Sequence, residues 1–342
     1  MTRVGIITGS GTGRELMEVF KHAVRMIAEK LGREVEVIDC EHEFRSYHGL
    51  LNAQIGEIEQ AVEEDVVQLT QFYRDFYLSG GRAIFRTALN AETLYRFRAL
   101  GKAVKTALVP LAEKNILFVR DEMQGFYAND YCEIDTDTIR FSGSFSRDNF
   151  QTLARHSLAE AAGTLRSEFE IWAIYKHHLF ANVIEKWAQE SIPGAKVFQP
   201  NHATQVLEEY LSTGSGPDLL LIAGNEIGDI LHEVLILQLG LGTRNTLYSR
   251  NVYLHPELTG LVEYQTVHGS ADNLGGKQLV NPLATLRAVA GFVEEHLDEP
   301  QFGAVMDDAI TAAESAGIVG HDAGGRYSTF EIATEVLNRL QC

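Results

Sequence analysis

A glycine-rich run near the start of the chain is the first pattern with chemical potential. Residues 9–13 (GSGTG) follow a short apolar run and precede an amphipathic segment, which predicts a turn between a strand and a helix. Backbone amides in such a turn can hold a dinucleotide, with Asp39 at the end of the next strand on a ribose. The spacing is wrong for that fingerprint, G-x-G-x-x-G, because the third glycine comes one residue early. The alternatives are a tight turn that needs a flexible backbone and a nucleotide loop of another kind.

Two carboxylates could hold a divalent cation. Asp229 and Glu233 are four residues apart in a segment with helical periodicity, so they lie on one helix face. Their hard anionic oxygens suit magnesium or manganese. The structural alternative is an acidic N-terminal helix turn, which the helix dipole favours. The adjacent His177 and His178 also suggest a metal, but neighbours on a helix do not face the same way, which favours a structural role or a role in supporting the ligands of a metal.

These residues belong to a chain in which strand-like and helix-like segments alternate. Short apolar or alternating runs predict strands at 4–8, 34–38, 115–119 and 218–223. Apolar residues at three- and four-residue spacing predict helices at 15–31, 58–69, 148–166 and 229–239, and Pro282 opens another. This alternation indicates an α/β fold.

Length and charge narrow the class of protein. The 342 residues predict about two domains. A net charge of −18 argues against nucleic acid as the main partner, which needs a basic field. No apolar run is long enough to predict a membrane span, and the first residues lack a signal-peptide layout. Cys40, Cys132 and Cys342 are too few and too scattered for a disulfide framework, so a reducing cytoplasm is expected.

Five segments match a known family pattern when they are taken in order. They are residues 7–15 (ITGSGTGRE), 120–127 (RDEMQGFY), 174–178 (IYKHH), 224–233 (GNEIGDILHE) and 267–277 (VHGSADNLGGK), the last followed by Asn281 and Pro282. In these segments the chain resembles the isocitrate and isopropylmalate dehydrogenase family of β-decarboxylating dehydrogenases. The fifth is the most specific, because His-Gly-Ser-Ala, Gly-Lys and Asn-Pro occur at the family's spacing.

The resemblance implies an α/β fold of two domains that is not a Rossmann fold. It implies a nucleotide-binding domain built from both chain ends, residues 1–101 and 240–342. A central domain, residues 102–239, is expected to hold the dimer interface and the substrate and metal residues. Because the family completes each active site with a second subunit, the resemblance also implies a homodimer with shared sites.

The implied activity is oxidative decarboxylation of a 3-carboxy-2-hydroxy acid, a 3-substituted malate similar to isocitrate or isopropylmalate. NAD takes the hydride, magnesium or manganese chelates the 2-oxygen and a carboxylate, and carbon dioxide leaves. Tyr127 matches the family tyrosine that protonates the enolate carbon, and Lys176 matches the lysine that relays the proton of the 2-hydroxyl. The family follows that lysine with other residues than His177 and His178, so the substrate contacts there differ.

Four side chains match the family's substrate contacts, since a polycarboxylate needs fixed cations. Arg96, with Arg98 as the alternative, aligns with the first substrate arginine, and Arg120 aligns with the arginine of the second segment. Lys105 stands where the family has another arginine, so it keeps the charge without the bidentate fork. Asn90 resembles the asparagine that contacts the third carboxylate of isocitrate.

The metal residues depart from the family's three aspartates. Asp229 keeps one of them, and Glu233 replaces another with a longer side chain. Asn201, or alternatively Gln205, takes the position of the aspartate that the partner subunit supplies. The lost carboxylate predicts weaker binding of magnesium or manganese.

The fifth segment is expected to bind the adenosine end of the cofactor. The residues assigned to it are His268, Gly269, Ser270, Ala271, Asn273, Leu274 and Asn281. Family members that use NADP carry Lys-Tyr where this chain has Asn273 and Leu274, and the only nearby cation for a 2′-phosphate is Lys277, so NAD is favoured. Gln265 replaces a family glutamate near the nicotinamide.

The sequence leaves two other functions open. The first is a non-catalytic or regulatory subunit that retains nucleotide binding, against which the presence of both Tyr127 and Lys176 speaks. The second is a metal-independent oxidoreductase that does not decarboxylate. The group on the third carbon of the substrate is not predicted.

Overall fold

Two compact units make up the protein, seen here in a computed structural model that describes residues 1–51, 53–111, 113–135, 137–176, 182–239, 247–267 and 269–341. The first unit comprises Met1–Phe97, Gly242–Arg250 and Glu257–Cys342, and the second comprises Arg98–Leu241 and Asn251–Pro256. The predicted division of nucleotide and substrate binding between two domains stays a prediction.

Strands and helices alternate along the chain. The strands are β1 (Thr2–Ile7), β2 (Val35–Asp39), β3 (Ala83–Arg86), β4 (Ala103–Pro110), β5 (Asn115–Asp121), β6 (Asn129–Ile134), β7 (Ile139–Gly143), β8 (Phe169–Ile174), β9 (Lys196–Phe198), β10 (Asp218–Gly224), β11 (Tyr248–Tyr253) and β12 (Leu261–Thr266). The helices are α1 (Gly13–Lys30), α2 (Tyr47–Leu50), α3 (Ile55–Leu78), α4 (Ala91–Gly101), α5 (Arg147–Thr164), α6 (Val183–Ser191), α7 (Pro200–Ser212), α8 (Asn225–Leu239), α9 (Leu283–His296), α10 (Phe302–Ser315) and α11 (Thr329–Asn338).

The first unit is built on a sheet in which the described pairings are parallel. Its strands lie in the order β2-β1-β3-β12-β11, and β1 pairs in parallel with both β2 and β3. Helices α1, α9, α10 and α11 contribute to one core with β1, β3 and β12. At its centre Phe20 of α1 stacks on Phe85 of β3 with ring centroids 4.0 Å apart. The apolar stripe that predicts α1 is therefore the face that packs on the sheet.

The second unit has a sheet with helices on both faces. Its strands lie in the order β4-β5-β10-β8-β9, in which only the β4–β5 pair is antiparallel among the described pairings. All seven residues of β10 are buried, as a strand covered on both faces requires. Helices α5 and α6 cover one face, and α7 and α8 cover the other. A separate hairpin is formed by β6 and β7.

The α/β prediction is confirmed, and every segment predicted from periodicity forms the expected type of element. The helix predicted at 58–69 is longer, since α3 covers Ile55–Leu78. Pro282 lies at the N-cap of α9, one position before the first helical residue. None of the described helices is long and apolar enough to cross a membrane.

Candidate functional site

Arg120, Asp229 and the loop that leads to Tyr127 lie where the parallel strands of the second unit end. Strands β5, β8 and β10 are parallel, and their register places Asp121 beside Gly224 and Ile174 beside Ala223. Carboxyl ends of parallel strands are where open α/β sheets bind ligands. Arg120, the loop that leads to Tyr127, Lys176 and the start of α8 all follow from these ends.

Lys105 and Arg120 are directly opposite each other in the antiparallel β4–β5 pair. Opposed residues project from the same face of a sheet, so two cations lie side by side. Lys105 is partly buried, and burial, followed by the charge of Arg120, holds the pKa of its ammonium well below the ordinary value. Neither Lys105 Nζ nor Arg120 Nη2 makes a hydrogen bond within the part of the chain that the structure describes.

A fully buried carboxylate, Glu122, lies between two arginines. It accepts hydrogen bonds from Arg120 Nε and, at 3.2 Å, from Arg98 Nη1. Burial alone would raise the pKa of Glu122, but Arg120, Arg98 and Lys105 outweigh burial and lower the pKa to about 2. The predicted alternative, Arg98, thus joins the cation cluster, by which we mean Arg98, Lys105 and Arg120.

Asp229 connects the cation cluster to helix α8. Arg120 Nη1 donates to Asp229 Oδ1 at 2.6 Å. Gly228 makes this approach possible, because a Cβ there would lie 2.7 Å from Cγ and Cδ of Arg120. Glu233 lies one turn further along α8, so both predicted metal carboxylates occur on the same helix face.

Tyr127 lies within reach of the same charges. Partial burial raises the pKa of its phenol, and the carboxylate of Asp229 raises it further while Arg120 lowers it. A neutral phenol at ordinary pH is the form that a proton donor needs. Lys176 is exposed directly after Tyr175 at the end of β8. His177 and His178 lie outside the described residues.

The turn that carries Tyr127 is fixed by buried polar side chains. Asp121 accepts from the Met123 amide at 3.0 Å and from Gln124 Nε2 at 2.8 Å. Asn225, the first residue of α8, donates to the Gln124 carbonyl at 2.7 Å. Burial raises the pKa of Asp121 to about 7. These bonds tie the end of β5 to the start of α8.

The remaining predicted substrate residues have local partners. Asn90 Oδ1 accepts from the amides of Glu92 and Thr93 at 2.9 and 3.3 Å, so it caps the first turn of α4. Arg96 donates to Glu92, one turn earlier on α4, at 2.5 Å. Their contact with substrate stays a prediction.

In the first unit, the glycine-rich turn and the predicted cofactor segment pack together. Thr12 donates through its amide and its hydroxyl to the carbonyl of Ser270, at 2.9 and 3.0 Å. A Cβ on Gly11 would lie 2.3 Å from that carbonyl oxygen, and Gly11 has a φ of +66°. The glycines therefore serve a tight turn and a close backbone approach. Asp39, considered for a ribose, forms an ion pair with Lys21 at 2.7 Å.

The cofactor segment itself presents a turn with polar side chains. Residues Asp272–Leu274 form a 3₁₀ turn preceded by Ala271 at φ +43°. Asp272 accepts a hydrogen bond from Ser46 at 2.6 Å, whereas Asn273 is exposed. Asn281 donates to Asp322 at 2.9 Å. His268 lies outside the described residues, and the cofactor contacts of Gly269, Ser270 and Leu274 stay predictions.

The donor set on α8 fits a hard divalent cation. Magnesium is commonly held by one or two carboxylates together with substrate oxygens and waters, and Asp229 and Glu233 supply two. Within the described ranges no group of three or more His, Cys, Asp or Glu side chains could hold a metal alone. Asn201, the second residue of α7, is exposed, and its contribution to the site of a partner subunit stays a prediction.

Sequence reasoning missed Glu122, Gly228 and Asp121. Glu122 lies two residues after Arg120 in the sequence, but its hydrogen bond to Arg98 comes from helix α4. The sequence did contain one indication of this arrangement. Asp121 and Glu122 form an acidic pair directly after Arg120, the predicted substrate arginine, at the end of a predicted strand.

A family model, two curated relatives and a solved structure that match this chain are all named as isocitrate or isopropylmalate dehydrogenases. The family model described as Isocitrate/isopropylmalate dehydrogenase matches residues 85–336. A 3-isopropylmalate dehydrogenase of Streptococcus thermophilus is 24% identical over 362 residues and 99% of each chain. That of Novosphingobium aromaticivorans is 32% identical over 130 residues, which cover 35% of this chain and 34% of the relative. The crystal structure of isocitrate dehydrogenase from Methylococcus capsulatus has the same fold, with a TM-score of 0.68 and 16% identity over 100% of both chains.

Proposed function

The chain belongs to the isocitrate/isopropylmalate dehydrogenase family, and we propose that it catalyses the NAD-dependent oxidative decarboxylation of a 3-substituted malate. Family and relatives support the coarser description, a decarboxylating hydroxy-acid dehydrogenase. The single observation that best supports the proposal is the contact of Arg120 with Asp229. It joins a cation predicted to bind substrate to a carboxylate predicted to bind metal.

The substrate carboxylates are held by the strand cations. Lys105 Nζ and Arg120 Nη2 make no hydrogen bond among the described residues. A carboxylate placed between them would accept hydrogen bonds from both. Such charge-assisted bonds are among the stronger ones in proteins. The same carboxylate would screen the repulsion between the two cations, so binding relieves an unfavourable pair.

Asp229 and Glu233 would hold magnesium or manganese, with Asn201 of a partner subunit completing the site. Such an ion, when bound, polarises the 2-oxygen of the substrate and stabilises negative charge on it. In the protein without a metal, Arg120 forms an ion pair with Asp229. This ion pair holds the carboxylate of Asp229 in place near the start of α8. The third carboxylate of relatives is missing, which predicts low metal affinity.

Tyr127 and Lys176 move the protons. Tyr127, neutral at ordinary pH, gives a proton to the carbon that loses carbon dioxide. Lys176 takes the proton of the 2-hydroxyl, directly or through water. Because Lys176 corresponds to a residue that family members donate across the subunit boundary, we propose a homodimer in which each site combines Tyr127 of one protomer with Lys176 of its partner.

NAD would bind along residues 268–281. The exposed Asn273 amide suits ribose hydroxyls, and Asp272 is already engaged by Ser46. The adenosine end would lie against backbone amides of this turn, with His268 and Asn281 beside the adenine.

The test is a screen for NADH formation. Purified protein is given NAD and a series of 3-substituted malates, with and without manganese. We expect manganese-stimulated NADH and carbon dioxide formation with at least one substrate, and none with Tyr127→Phe. NAD binding without turnover of any substrate would overturn the proposal in favour of a non-catalytic subunit. Turnover without release of carbon dioxide would overturn the proposed decarboxylation. Turnover that does not depend on manganese would overturn the proposed role of the metal.

A further inference from the structure

The turn between β5 and Tyr127 is held by two buried amide side chains, Gln124 and Asn225. Gln124 Nε2 donates to Asp121 Oδ2, and Gln124 Oε1 accepts from the Ser146 amide, both at 2.8 Å. Asn225 Nδ2 donates to the Gln124 carbonyl at 2.7 Å. Asp121, Gln124 and Asn225 are 0%, 3% and 1% exposed, so bulk water does not replace a partner that is lost. The turn therefore depends on these bonds.

The hydrogen bonds of Gln124 can run in one direction only. A backbone amide can only donate, so the Ser146 amide requires the side-chain oxygen of Gln124 on its side and leaves the nitrogen for Asp121. Asp121 must therefore accept through Oδ2, and it also accepts from the Met123 amide through Oδ1 at 3.0 Å. The Tyr175 hydroxyl, 3.4 Å from Oδ2, can donate or accept. A carboxyl group supplies both required acceptors, whereas a carboxamide has only one oxygen.

The same constraint ties the turn to helix α8. Asn225 Oδ1 accepts from the Glu226 amide at 2.8 Å, which directs Nδ2 toward the Gln124 carbonyl. Gly125 packs against this side chain with a φ of +98°, and a Cβ there would lie 3.0 Å from Asn225 Oδ1. Neither the direction of the Asn225 amide nor the conformation of Gly125 can change without loss of a buried contact.

Tyr127 follows directly from this turn. The amide of Phe126 bonds to the Glu226 carboxylate, so the backbone just before Tyr127 is held at the first turn of α8. Asp229 lies three residues further along α8, and its charge acts on the phenol of Tyr127. Because proton transfer requires the donor at a defined place, a shift of the turn would misplace the phenol.

We propose that Asp121 and Gln124 are positioning residues for Tyr127, because the fixed direction of their hydrogen bond holds the turn that presents the phenol to the substrate. In this role neither residue touches substrate or cofactor. The inference rests on the proposed function, in which Tyr127 is the proton donor, and it adds the residues through which that donor is held.

The first test changes one partner at a time without changing its size. Asp121→Asn sets a nitrogen against Gln124 Nε2 or gives up the Met123 amide, and Gln124→Glu sets a carboxylate oxygen against Asp121 Oδ2. We expect each change to lower kcat by about 10- to 100-fold, the effect of misplacing a reacting group by about 1 Å. KM should stay near the wild-type value, because the proposed substrate cations are unchanged.

The decisive variant combines Asp121→Asn with Gln124→Glu. The new nitrogen at position 121 then donates to the new carboxylate at position 124, while the amides of Met123 and Ser146 each keep an acceptor oxygen. The net charge of the turn is also kept. We expect this variant to recover most of the kcat that either single change loses. Losses that add up in the combined variant would overturn the proposal.

The matched control is Asp218→Asn. Asp218 is another fully buried aspartate of the same sheet, at the start of β10, and it accepts from the amides of Asn115 and Arg166 at 2.9 and 2.8 Å. We expect this change to lower stability and to leave kcat unchanged. A similar fall of kcat in Asp218→Asn would assign the effect to general destabilisation and overturn the role of Asp121 and Gln124.

A spectrum separates this inference from the proposed reaction. Protein labelled with 3-fluorotyrosine gives a fluorine NMR signal for Tyr127, which is identified by its loss in Tyr127→Phe. We expect this signal to shift or broaden in Asp121→Asn and in Gln124→Glu, to return to its wild-type position in the combined variant, and to stay unchanged in Asp218→Asn.

The outcomes distinguish the two proposals. If the signal follows this pattern and the wild type oxidises no substrate, the proposed function fails and the inference stands. If substrate is oxidised and both single variants keep the wild-type kcat and signal, the inference fails and the proposed function stands. The combined variant decides even if a single variant does not fold, because its own failure to fold would show that the bond has no fixed direction.

Discussion

Lys105 of β4 lies directly opposite Arg120 of β5, so two cations share one face of an antiparallel strand pair. Like charges in opposed positions destabilise a sheet. Burial, followed by the charge of Arg120, also holds the pKa of Lys105 well below its ordinary value. The proposed role in binding a substrate carboxylate gives a reason why Lys105 and Arg120 are opposed in spite of this cost.

Replacing Lys105 should therefore separate stability from substrate binding. Lys105→Met is expected to raise the thermal midpoint, because a partly buried charge beside Arg120 disappears, and to raise KM by about 10- to 100-fold through the lost charged contact. Steady-state kinetics and thermal unfolding measure the two effects. Lys105→Arg should keep KM near the wild-type value.

The control is Lys196→Met on β9, an exposed lysine that is ion-paired with Glu170. It is expected to change neither KM nor the thermal midpoint appreciably, since exposed pairs contribute about 0–1 kcal/mol. An unchanged KM in Lys105→Met would remove Lys105 from the substrate site.

Asp121 should make stability fall between mildly acidic and neutral pH. Its pKa is raised from 3.8 to about 7 in the folded protein by burial. The folded state thus holds a proton that the unfolded state has lost, so the stabilisation is complete below about pH 4 and disappears as the pH rises through about 7. Glu122, whose pKa is lowered to about 2, acts in a lower range, where stability is lost as the pH falls below about 4.5.

Asp121→Asn removes the titration from this turn. We expect urea unfolding of the wild type to show a decrease in stability from pH 5 to pH 8 of at most about 3 kcal/mol, which corresponds to the pH interval between 5 and the folded-state pKa of about 7, and a smaller decrease in the variant. Asp308→Asn, an exposed position on α10, should keep the wild-type dependence. Parallel pH profiles for wild type and Asp121→Asn would show that Asp121 is ionised throughout this range.

Helices and strands whose buried face follows from the spacing of apolar residues could be predicted from the sequence. Contacts between segments that are distant in the sequence could not. The stripe that predicts α1 and the apolar run that predicts β10 carry their burial in local spacing. The opposition of Lys105 and Arg120 depends on the register of β4 against β5, and β4 has no clear pattern of its own. The contact of Glu122 with Arg98 of α4 likewise joins segments that are distant in the sequence.

Motifs predicted the type of chemistry better than the partner of each side chain. Asn90 and Asn281 occupy motif positions, yet both also accept bonds from helix-start amides, a role that the sequence cannot distinguish from ligand contact. The glycine-rich turn shows the same limit. Its spacing excluded the dinucleotide fingerprint, but only the structure shows that Gly11 makes room for the Ser270 carbonyl.

Cofactor preference should follow residues 273 and 274. The wild type is expected to bind NAD more tightly than NADP, because Asn273 and Leu274 offer no charge to a 2′-phosphate. Asn273→Lys with Leu274→Tyr should move the ratio of dissociation constants toward NADP, as measured by fluorescence titration. Lys277→Gln serves as the control and should leave NAD affinity unchanged. Tighter NADP binding by the wild type would show that another cation reads the phosphate.

Mixed dimers test the shared site. Lys176→Ala and Tyr127→Phe should each be inactive alone. A dimer of the two is expected to regain activity, because one of its two sites then combines an intact Tyr127 with an intact Lys176 from the other protomer. The control is a chain that carries both changes, paired with wild type, which contains no intact site. Activity in this control without activity in the first mixture would place both residues in the same protomer's site.

Metal affinity should be limited by the missing carboxylate. Asp229 and Glu233 contribute two negative charges, Arg120 competes for Asp229 at 2.6 Å, and Asn201 brings no charge from a partner. Asn201→Asp combined with Glu233→Asp is expected to tighten manganese binding by about 10-fold or more, since one further charged contact is formed and the shorter side chain restores the reach of an aspartate.

Gln205→Asp in place of Asn201→Asp distinguishes the two candidate positions on α7. Calorimetric titration of manganese measures all three proteins, and Asp229→Asn gives the baseline without the central ligand. Turnover need not rise with affinity, because the substrate itself can supply the missing oxygen. Equal manganese affinity in the wild type, both aspartate variants and Asp229→Asn would mean that α8 does not hold the metal.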